Sequence, residues 1–368
     1  MTIGKKIEGK WMTKEVLLEK AKALPLLPGV YFMKDDLGSI IYVGKSKVLK
    51  QRVSSYFLGG KKPQKVECMV RQIHDFEIHY TDTELEALLL ECRMIKQIQP
   101  LYNRLLKKDH KYRYLYLNPR DARVRVKLVR DQESKEGYYF GPYEKGEVLF
   151  QAVQLLNHIF ELADCKYSEI KENCLTYKRG RCIGMCKAPY DEKKFQEQIY
   201  KLLLFLEEQD STLIQDYEEK MKAAAETLNF EKAQQFKEEW EALKYLQFKK
   251  EALQFAKTHQ VIFFKLPMPA GGTKLFMLQS YQILCSEVIP KELKSQSALI
   301  TKCLKLYEKA DGKKEVCFDK AVMDEIYILH GYLKKLAADE IKFFTLIPEE
   351  KQEVKEVKHI LKDWLQKE

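Results

Sequence analysis

Apolar and polar positions follow clear local periods between Leu24 and Asn103. After Pro28-Gly29, the runs Val30-Tyr31-Phe32-Met33 and Ile40-Ile41-Tyr42-Val43 are β-prone and flank a turn at Asp36-Leu37-Gly38, so the pattern predicts a hairpin. Leu49, Val53 and Tyr56 fall at i, i+4 and i+7, predicting a helix that ends at Gly59-Gly60. Phe76 to Tyr80 supplies a third strand. Thr81 and Glu84 stand at capping-box spacing ahead of Leu85, Leu88, Leu89, Cys92 and Ile95, one apolar helical face that must stop near Pro100. Together these make a small α/β module.

Downstream the period changes. Tyr112 to Tyr143 is mostly strand and loop, with Tyr114-Leu115-Tyr116-Leu117 and Val124-Arg125-Val126 as candidate strands, and Val148 to Leu162 is helical. Lys193 to Lys250 is helix-prone almost throughout, with a break expected at Asn229-Phe230 between two amphipathic helices. Strand-like runs resume at Val261-Ile262-Phe263-Phe264 and Lys274-Leu275-Phe276-Met277-Leu278, and the last segment is helical again. At 368 residues the chain exceeds one ordinary core. The prediction is an α+β protein with a leader (1–23), the α/β module (24–118), a linker and cysteine-rich region (119–192), a helical region (193–250) and a C-terminal α/β region (251–368).

Composition adds a partner class. The chain is 45% hydrophobic and 32% charged, and no apolar run approaches the ~20 residues that span a bilayer, nor does the N-terminus carry the apolar stretch of a signal peptide. A membrane is excluded as partner and a cytoplasmic location is expected. Net charge is +10. Between Lys45 and Arg71 eight Lys or Arg residues face one acid, Glu67, and the run from Arg104 to Arg113 contains only Asp109. Such runs serve as solvated faces or as contacts to a polyanion, and Lys47, Lys50, Lys61, Lys62, Lys65, Arg104, Lys107 and Lys108 are the candidates for DNA binding. Nine cysteines, odd in number and partly clustered, fit free thiols or metal ligands in a reducing compartment better than a disulfide framework.

Glu91 stands out on a helical wheel. It lies between Leu88 and Ile95 on one side and Ala87, Met94 and Ile98 on the other, within the apolar arc, whereas Glu86 and Arg93 fall on the polar face. An ionised carboxylate there is costly unless it is paired or binds a cation. Position alone leaves two readings open: a buried salt bridge to Lys45 or Arg52, or a ligand for Mg²⁺ or Mn²⁺ that keeps several waters.

Gly29-Val30-Tyr31 followed by Tyr42-Val43-Gly44 resembles the strand pair that names the GIY-YIG nucleases. Lys45, Arg52, Tyr56, Glu91 and Asn103 follow in that family's order, within SSYF, EALLLE and PLYN. The likeness runs collinearly from Leu24 to about Leu246, through Tyr139-Phe140-Gly141-Pro142-Tyr143, and is to the bacterial UvrC excinuclease family. It implies that residues 24–118 are a GIY-YIG nuclease domain with Glu91 as ligand of Mg²⁺ or Mn²⁺. In that reading Tyr31 is the general base, Lys45 and Arg52 stabilise developing charge, and Tyr42 and Tyr56 orient water or phosphate. A phenol of ordinary pKa about 10 needs nearby cations for that role. Other roles remain open at this point: strand packing for Tyr31 and Tyr42, helix-end packing for Tyr56, backbone capping for Asn103, and DNA backbone contact for Lys45 and Arg52.

Cys165, Cys174, Cys182 and Cys186, with eight, seven and three residues between them, suit zinc or an iron–sulfur cluster. The family resemblance favours [4Fe–4S]. Cys68, Cys92, Cys285, Cys303 and Cys317 are expected as packing residues. Residues 217–246 resemble the UVR motif that docks UvrC on UvrB; Ala223 to Ala225, Leu228, Phe230, Ala233, Phe236 and Trp240 could equally build an internal hairpin. Beyond Leu246 the likeness fades. The Gly-x-Gly hairpins of the family's C-terminal modules are absent, and residues 251–368 are read as a reduced RNase H-like remnant without a carboxylate constellation. The expectation is a short, Cho-like enzyme making one nick 3′ to a lesion, with a non-catalytic UvrB- and DNA-binding adaptor and a repair-independent GIY-YIG nuclease as rivals.

Overall fold

The computed structural model describes residues 13–104, 106, 112–121, 123–144, 146–162, 174–186, 190–207, 211–258, 260–310, 322–338, 343–346 and 354–366. The chain divides into two compact units, one comprising 1–108, 256–317 and 324–368, the other 109–255 and 318–323.

In the first unit, helix α1 (Lys14–Lys22) precedes β1 (Gly29–Lys34) and β2 (Ile40–Ser46), which pair antiparallel as the expected hairpin. Helices α2 (Leu49–Phe57) and α3 (Gln64–Gln72), strand β3 (Asp75–Tyr80) and helix α4 (Glu84–Ile98) follow. The sheet order is β2-β1-β3, so β1 is central and is buried on both faces. Tyr31 and Met33 enter one core with Leu49, Val53, Met69 and Phe76, whereas Val30 packs with Val43, Ala87 and Ile95 beneath α4. The supposed leader contributes to this fold, because α1 puts Leu17 and Ala21 into the Tyr31 core. Helix α3 was not predicted; charges interrupt its short apolar face of Val66, Met69 and Val70. The capping box sits two residues later than expected, at Thr83 and Glu86. Thr81 is otherwise engaged: its amide donates to the Pro28 carbonyl at 3.0 Å and its hydroxyl to the Thr83 carbonyl at 2.9 Å.

The second unit carries an antiparallel sheet of order β5-β4-β6, from β4 (Tyr112–Leu117), β5 (Lys127–Val129) and β6 (Tyr138–Glu144). Val124 to Val126 does not form the expected strand. Its backbone is satisfied by the Asn157 side chain, which accepts from the Val126 amide at 2.8 Å and donates to the Val126 carbonyl at 3.0 Å. Asn157 lies on α5 (Glu147–Ile159); α6 (Leu175–Lys178), α7 (Glu192–Glu207), α8 (Thr212–Glu226) and α9 (Phe230–Lys257) complete the unit. The helix break falls where expected. Leu228 takes a left-handed φ of 57°, the Asn229 amide returns to the Ala224 carbonyl, and the Asn229 side chain caps the Lys232 amide at 3.2 Å.

The C-terminal part of the first unit is a sheet of order β10-β7-β8-β9, antiparallel at every pairing, from β7 (Val261–Pro267), β8 (Thr273–Gln279), β9 (Gln282–Val288) and β10 (Phe343–Leu346). Helices α10 (Leu293–Lys309) and α12 (Val354–Gln366) share a core with it, and α11 (Met323–Ala338) lies between them in sequence. Among the described residues no group of three or more His, Cys, Asp or Glu side chains could hold a metal ion.

This region covers the polar face of α4. Lys274 Nζ donates at 2.6 Å to both Asp82 and Glu86, Ser286 donates to Glu86 at 3.0 Å, Arg93 forks onto Glu325, and Lys96 pairs with Asp324 at 2.8 Å. The polar face of the helix is an ion-pair seam. Lys274→Ala, which removes the cation between Asp82 and Glu86 while Ser286 still donates to Glu86, is expected to lower unfolding stability by about 2 kcal/mol in urea melts. Arg93→Ala, whose side chain is 56% exposed, should cost under about 1 kcal/mol.

Candidate active site

The outer edge of β2 organises the site. As an edge strand it presents unpaired backbone groups, and at alternate residues each is met from outside. The Ile41 carbonyl accepts from the Tyr102 amide at 2.9 Å. At Val43, the amide donates to Asn103 Oδ1 at 2.9 Å and the carbonyl accepts from Asn103 Nδ2 at 2.8 Å. The Lys45 amide donates to Glu91 Oε1 at 3.0 Å. Asn103 is thus a clamp that fixes the chain leaving α4 against β2, the capping alternative raised by the sequence. Glu91 is anchored to β2 through a backbone amide.

Behind this edge lies the tyrosine cluster. Tyr31, fully buried on β1, lies against Gly44, where a Cβ would collide with the Tyr31 hydroxyl. At Gly29 a Cβ would strike the His79 carbonyl across the β1–β3 pair. The two motif glycines are therefore steric requirements. The Tyr31 and Tyr56 hydroxyls are hydrogen-bonded at 2.8 Å, and Arg52 Nε donates to the Tyr31 oxygen at 3.3 Å. The Arg52 guanidinium lies 5.1 Å from the centre of the Tyr56 ring. Tyr42 completes the cluster, its ring centre 6.1 Å from that of Tyr31 and 6.4 Å from that of Tyr56.

Burial pushes the Tyr31 phenol well above its ordinary value, and the adjoining Tyr56 and Tyr42 add to this; Arg52 opposes it without reversing it. Tyr42 is raised to about 12, chiefly by burial. Burial works against the Arg52 charge, yet the phenol oxygens around it more than offset that and hold it protonated. Glu91 is raised by burial, against the Lys45 amide and the charges of Lys45 and Arg52. The chain alone leaves a carboxylate short of positive charge beside phenols that keep their protons.

Glu91, Arg52, Tyr42, Tyr56 and Asn103 line one cavity of about 610 Å³. Lys62, Lys65 and Arg104 line it too, so three of the candidate DNA contacts reach it. The Lys62 ammonium donates to the Leu58 carbonyl at 2.6 Å and that of Lys65 to the Tyr102 carbonyl at 3.0 Å. Lys45 and Lys47 turn instead to Glu84, at 3.1 and 2.9 Å. The salt bridge considered between Glu91 and the Lys45 side chain is therefore replaced by the amide contact. Lys50 and Lys61 do not line the cavity, and Lys107 and Lys108 lie outside the described residues. Sequence reasoning missed Glu84 as the acceptor for both lysines, and Tyr102 and α3 as walls; the apolar spacing of Val66, Met69 and Val70 was the available signal for α3. A single half-buried carboxylate facing an open cavity fits a hard divalent cation that retains waters.

Three of the four clustered cysteines lie among the described residues. Cys182 is buried, Cys174 and Cys186 are half-buried, and Cys165 lies outside the described residues. The three described thiols are not gathered into a metal-holding group. Cys92, Cys285 and Cys303 are buried as expected of packing residues, whereas Cys68 is exposed on α3; Cys317 lies outside the described residues. In the hairpin, Tyr217, Phe236 and Trp240 turn into the core of their own unit, while Leu228 and Phe230 at the turn are 72% and 69% exposed. No described helix is long and apolar enough to cross a membrane.

Three families match in consecutive order: the UvrC-like GIY-YIG domain over residues 27–104, the UvrC/Cho excinuclease middle domain over 112–205, and the UvrB/uvrC motif over 211–246. Similar proteins include the UvrABC system protein C of Desulfitobacterium hafniense, 40% identical over 62% of this chain and 37% of its own length. That of Syntrophomonas wolfei is 34% identical over 76% of this chain and 46% of its own. The chain thus spans less than half the length of these relatives. Among solved structures, the GIY-YIG N-terminal endonuclease domain of UvrC from Thermotoga maritima, bound to magnesium as its catalytic divalent cation, is 35% identical. The match covers 25% of this chain and all of that domain, with a TM-score of 0.23. With three domains of one family in collinear order, and the two motif glycines explained by the packing they permit, the chain belongs to the UvrC/Cho family.

Proposed function

We propose that this chain is a divalent-cation-dependent DNA endonuclease of nucleotide excision repair that makes a single nick, 3′ to a lesion. The observation that carries the reading is Glu91: half-buried, held by one backbone amide, and sharing a cavity wall with Arg52, Tyr42 and Tyr56. Mg²⁺ or Mn²⁺ at this carboxylate supplies the positive charge that orients the phosphate and eases departure of the leaving oxygen. Tyr31, as phenolate, takes the proton of the attacking water, with the Tyr56 hydroxyl and Arg52 holding its oxygen in place. Because burial opposes that ionisation, the reaction needs positive charge beyond Arg52. Arg52 also faces the phosphoryl oxygens from the cavity wall, Tyr42 and Tyr56 orient water or phosphate, and Lys62, Lys65 and Arg104 hold the DNA backbone at the rim. Lys45, engaged by Glu84, supports charge from a distance. Asn103 acts as a positioning residue.

UvrB is the proposed partner, reached through the turn between α8 and α9, where Leu228 and Phe230 are exposed while the rest of the apolar face serves the internal core. A [4Fe–4S] cluster, or zinc, is proposed as a structural clip on Cys165, Cys174, Cys182 and Cys186, with no part in the cut. Such a clip would couple metal binding to the folding of its own ligands.

Glu91→Gln keeps an acceptor for the Lys45 amide and removes the charge. Nicking of UvrB-loaded, lesion-bearing DNA in Mg²⁺ should fall by at least about a thousandfold, as expected when a single transition-state contact of this kind is lost; retained cutting would defeat the site. A carboxyl whose pKa is raised by folding stabilises the fold while protonated and loses that contribution as pH rises through the raised value. In EDTA at neutral pH, Glu91→Gln should therefore melt at or above the wild-type temperature, and the wild type alone should gain on adding Mg²⁺.

Leu228→Asp with Phe230→Asp should abolish capture by UvrB while leaving cutting of naked DNA in Mn²⁺ unchanged. Equal nicking with and without UvrB would favour a repair-independent nuclease, and binding of UvrB and DNA without any cut would favour the adaptor.

A further inference from the structure

The sheet of the second unit has two different faces. Leu115 and Leu117 of β4 join Val124, Val126 and Leu128 in the core, and Phe140 of β6 packs there as well. Alternation therefore sends Tyr114, Tyr116, Lys127, Val129 and Tyr139 to the opposite face. The register confirms the grouping, since Tyr116 pairs across the sheet with both Lys127 and Tyr139. On that face the Tyr116 and Tyr139 rings lie 4.8 Å apart between centres, and Tyr114 meets Tyr139 edge-on at 6.5 Å. All three are half-buried.

The rings are held in place. The Ser134 amide donates to the Tyr139 hydroxyl at 3.0 Å. Gly137, at a φ of 87°, lets the β5–β6 loop close on Tyr116, where a Cβ would come within 3.0 Å of the ring. Arg123 and Arg125, interleaved with the buried Val124 and Val126, stand immediately before Lys127, the β5 residue on the tyrosine side. From Tyr112 to Arg130 there are six Lys or Arg residues against one acid, Asp121, which pairs with Lys127 at 2.7 Å.

We propose that this face is a binding platform for single-stranded DNA, with unstacked bases lying on Tyr116, Tyr139 and Tyr114 and the phosphates following the basic row that begins at Arg123. Base–aromatic stacking accepts any base, and a neighbouring basic row attracts a polyanion, the combination that single-strand binding requires. An apolar peptide would gain nothing from the charge, and a stacked duplex could not present its base faces to the rings. The platform makes no use of Glu91 or of a metal ion, so it stands apart from the nuclease reading.

The test uses the full chain carrying Glu91→Gln, in EDTA, with a fluorescent oligodeoxynucleotide in which iodouracil replaces thymine. Irradiation should cross-link Tyr116 or Tyr139, mapped by mass spectrometry. In anisotropy titrations Tyr116→Ala and Tyr139→Ala should each weaken binding about tenfold, while Tyr116→Phe and Tyr139→Phe, which keep the ring, stay within about twofold. Circular dichroism matching the parent shows that each variant is folded. Cross-links confined to other residues, folded alanine variants that bind like the parent, or equal affinity for duplex of the same length would each overturn the proposal. Tighter binding of the matching RNA would overturn the assignment to DNA.

Discussion

The site depends on how the outer edge of β2 is satisfied. A strand at a sheet edge exposes amides and carbonyls that must find partners, and here the Tyr102 amide, the Asn103 side chain and the Glu91 carboxylate meet them at alternate residues. The same contacts that close the sheet bring α4 and the segment after it to one place. Ala87 and Ile95 pack α4 against Val30 and Val43, and the amide of Lys45 fixes where the carboxylate stands.

That arrangement costs stability and supplies chemistry in return. Glu91 is half-buried, with the Lys45 ammonium turned away to Glu84 and Arg52 directed to the phenols, so its charge is poorly compensated by the chain. Tyr31 is likewise kept protonated by burial. Positive charge in the cavity that Glu91 lines would relieve both groups, Glu91 directly and Tyr31 from behind the Tyr56 and Arg52 that line it. On its far side α4 is braced by the seam centred on Lys274, which ties the helix that carries Glu91 to the C-terminal region of the same unit.

Much of this was legible from local pattern. The β1–β2 hairpin follows from period-two alternation around Asp36-Leu37-Gly38, and Glu91 could be picked out because it interrupts an apolar helical arc. Its partner could not be read, since a helical wheel does not show that the Lys45 ammonium goes to Glu84. The capping box slipped by two residues because Thr81 is held by the Pro28 carbonyl, a contact across more than fifty residues. The partners of the polar face of α4 could not be read either, because its counter-charges, Lys274 and Glu325, lie 188 and 232 residues away from Glu86 and Arg93. Val124 to Val126 has strand composition but is paired by a side chain on α5. Short-range alternation sets the elements; long-range polar contacts decide their register and their ends.

The central claim is that Glu91 holds a divalent cation in the cavity it shares with Arg52, Tyr42 and Tyr56. Anomalous diffraction from crystals grown with Mn²⁺ tests it directly. The account predicts a single strong peak about 2.1 Å from a Glu91 carboxylate oxygen, with waters completing its shell. A peak on Glu84 or another carboxylate, with none at Glu91, would contradict it.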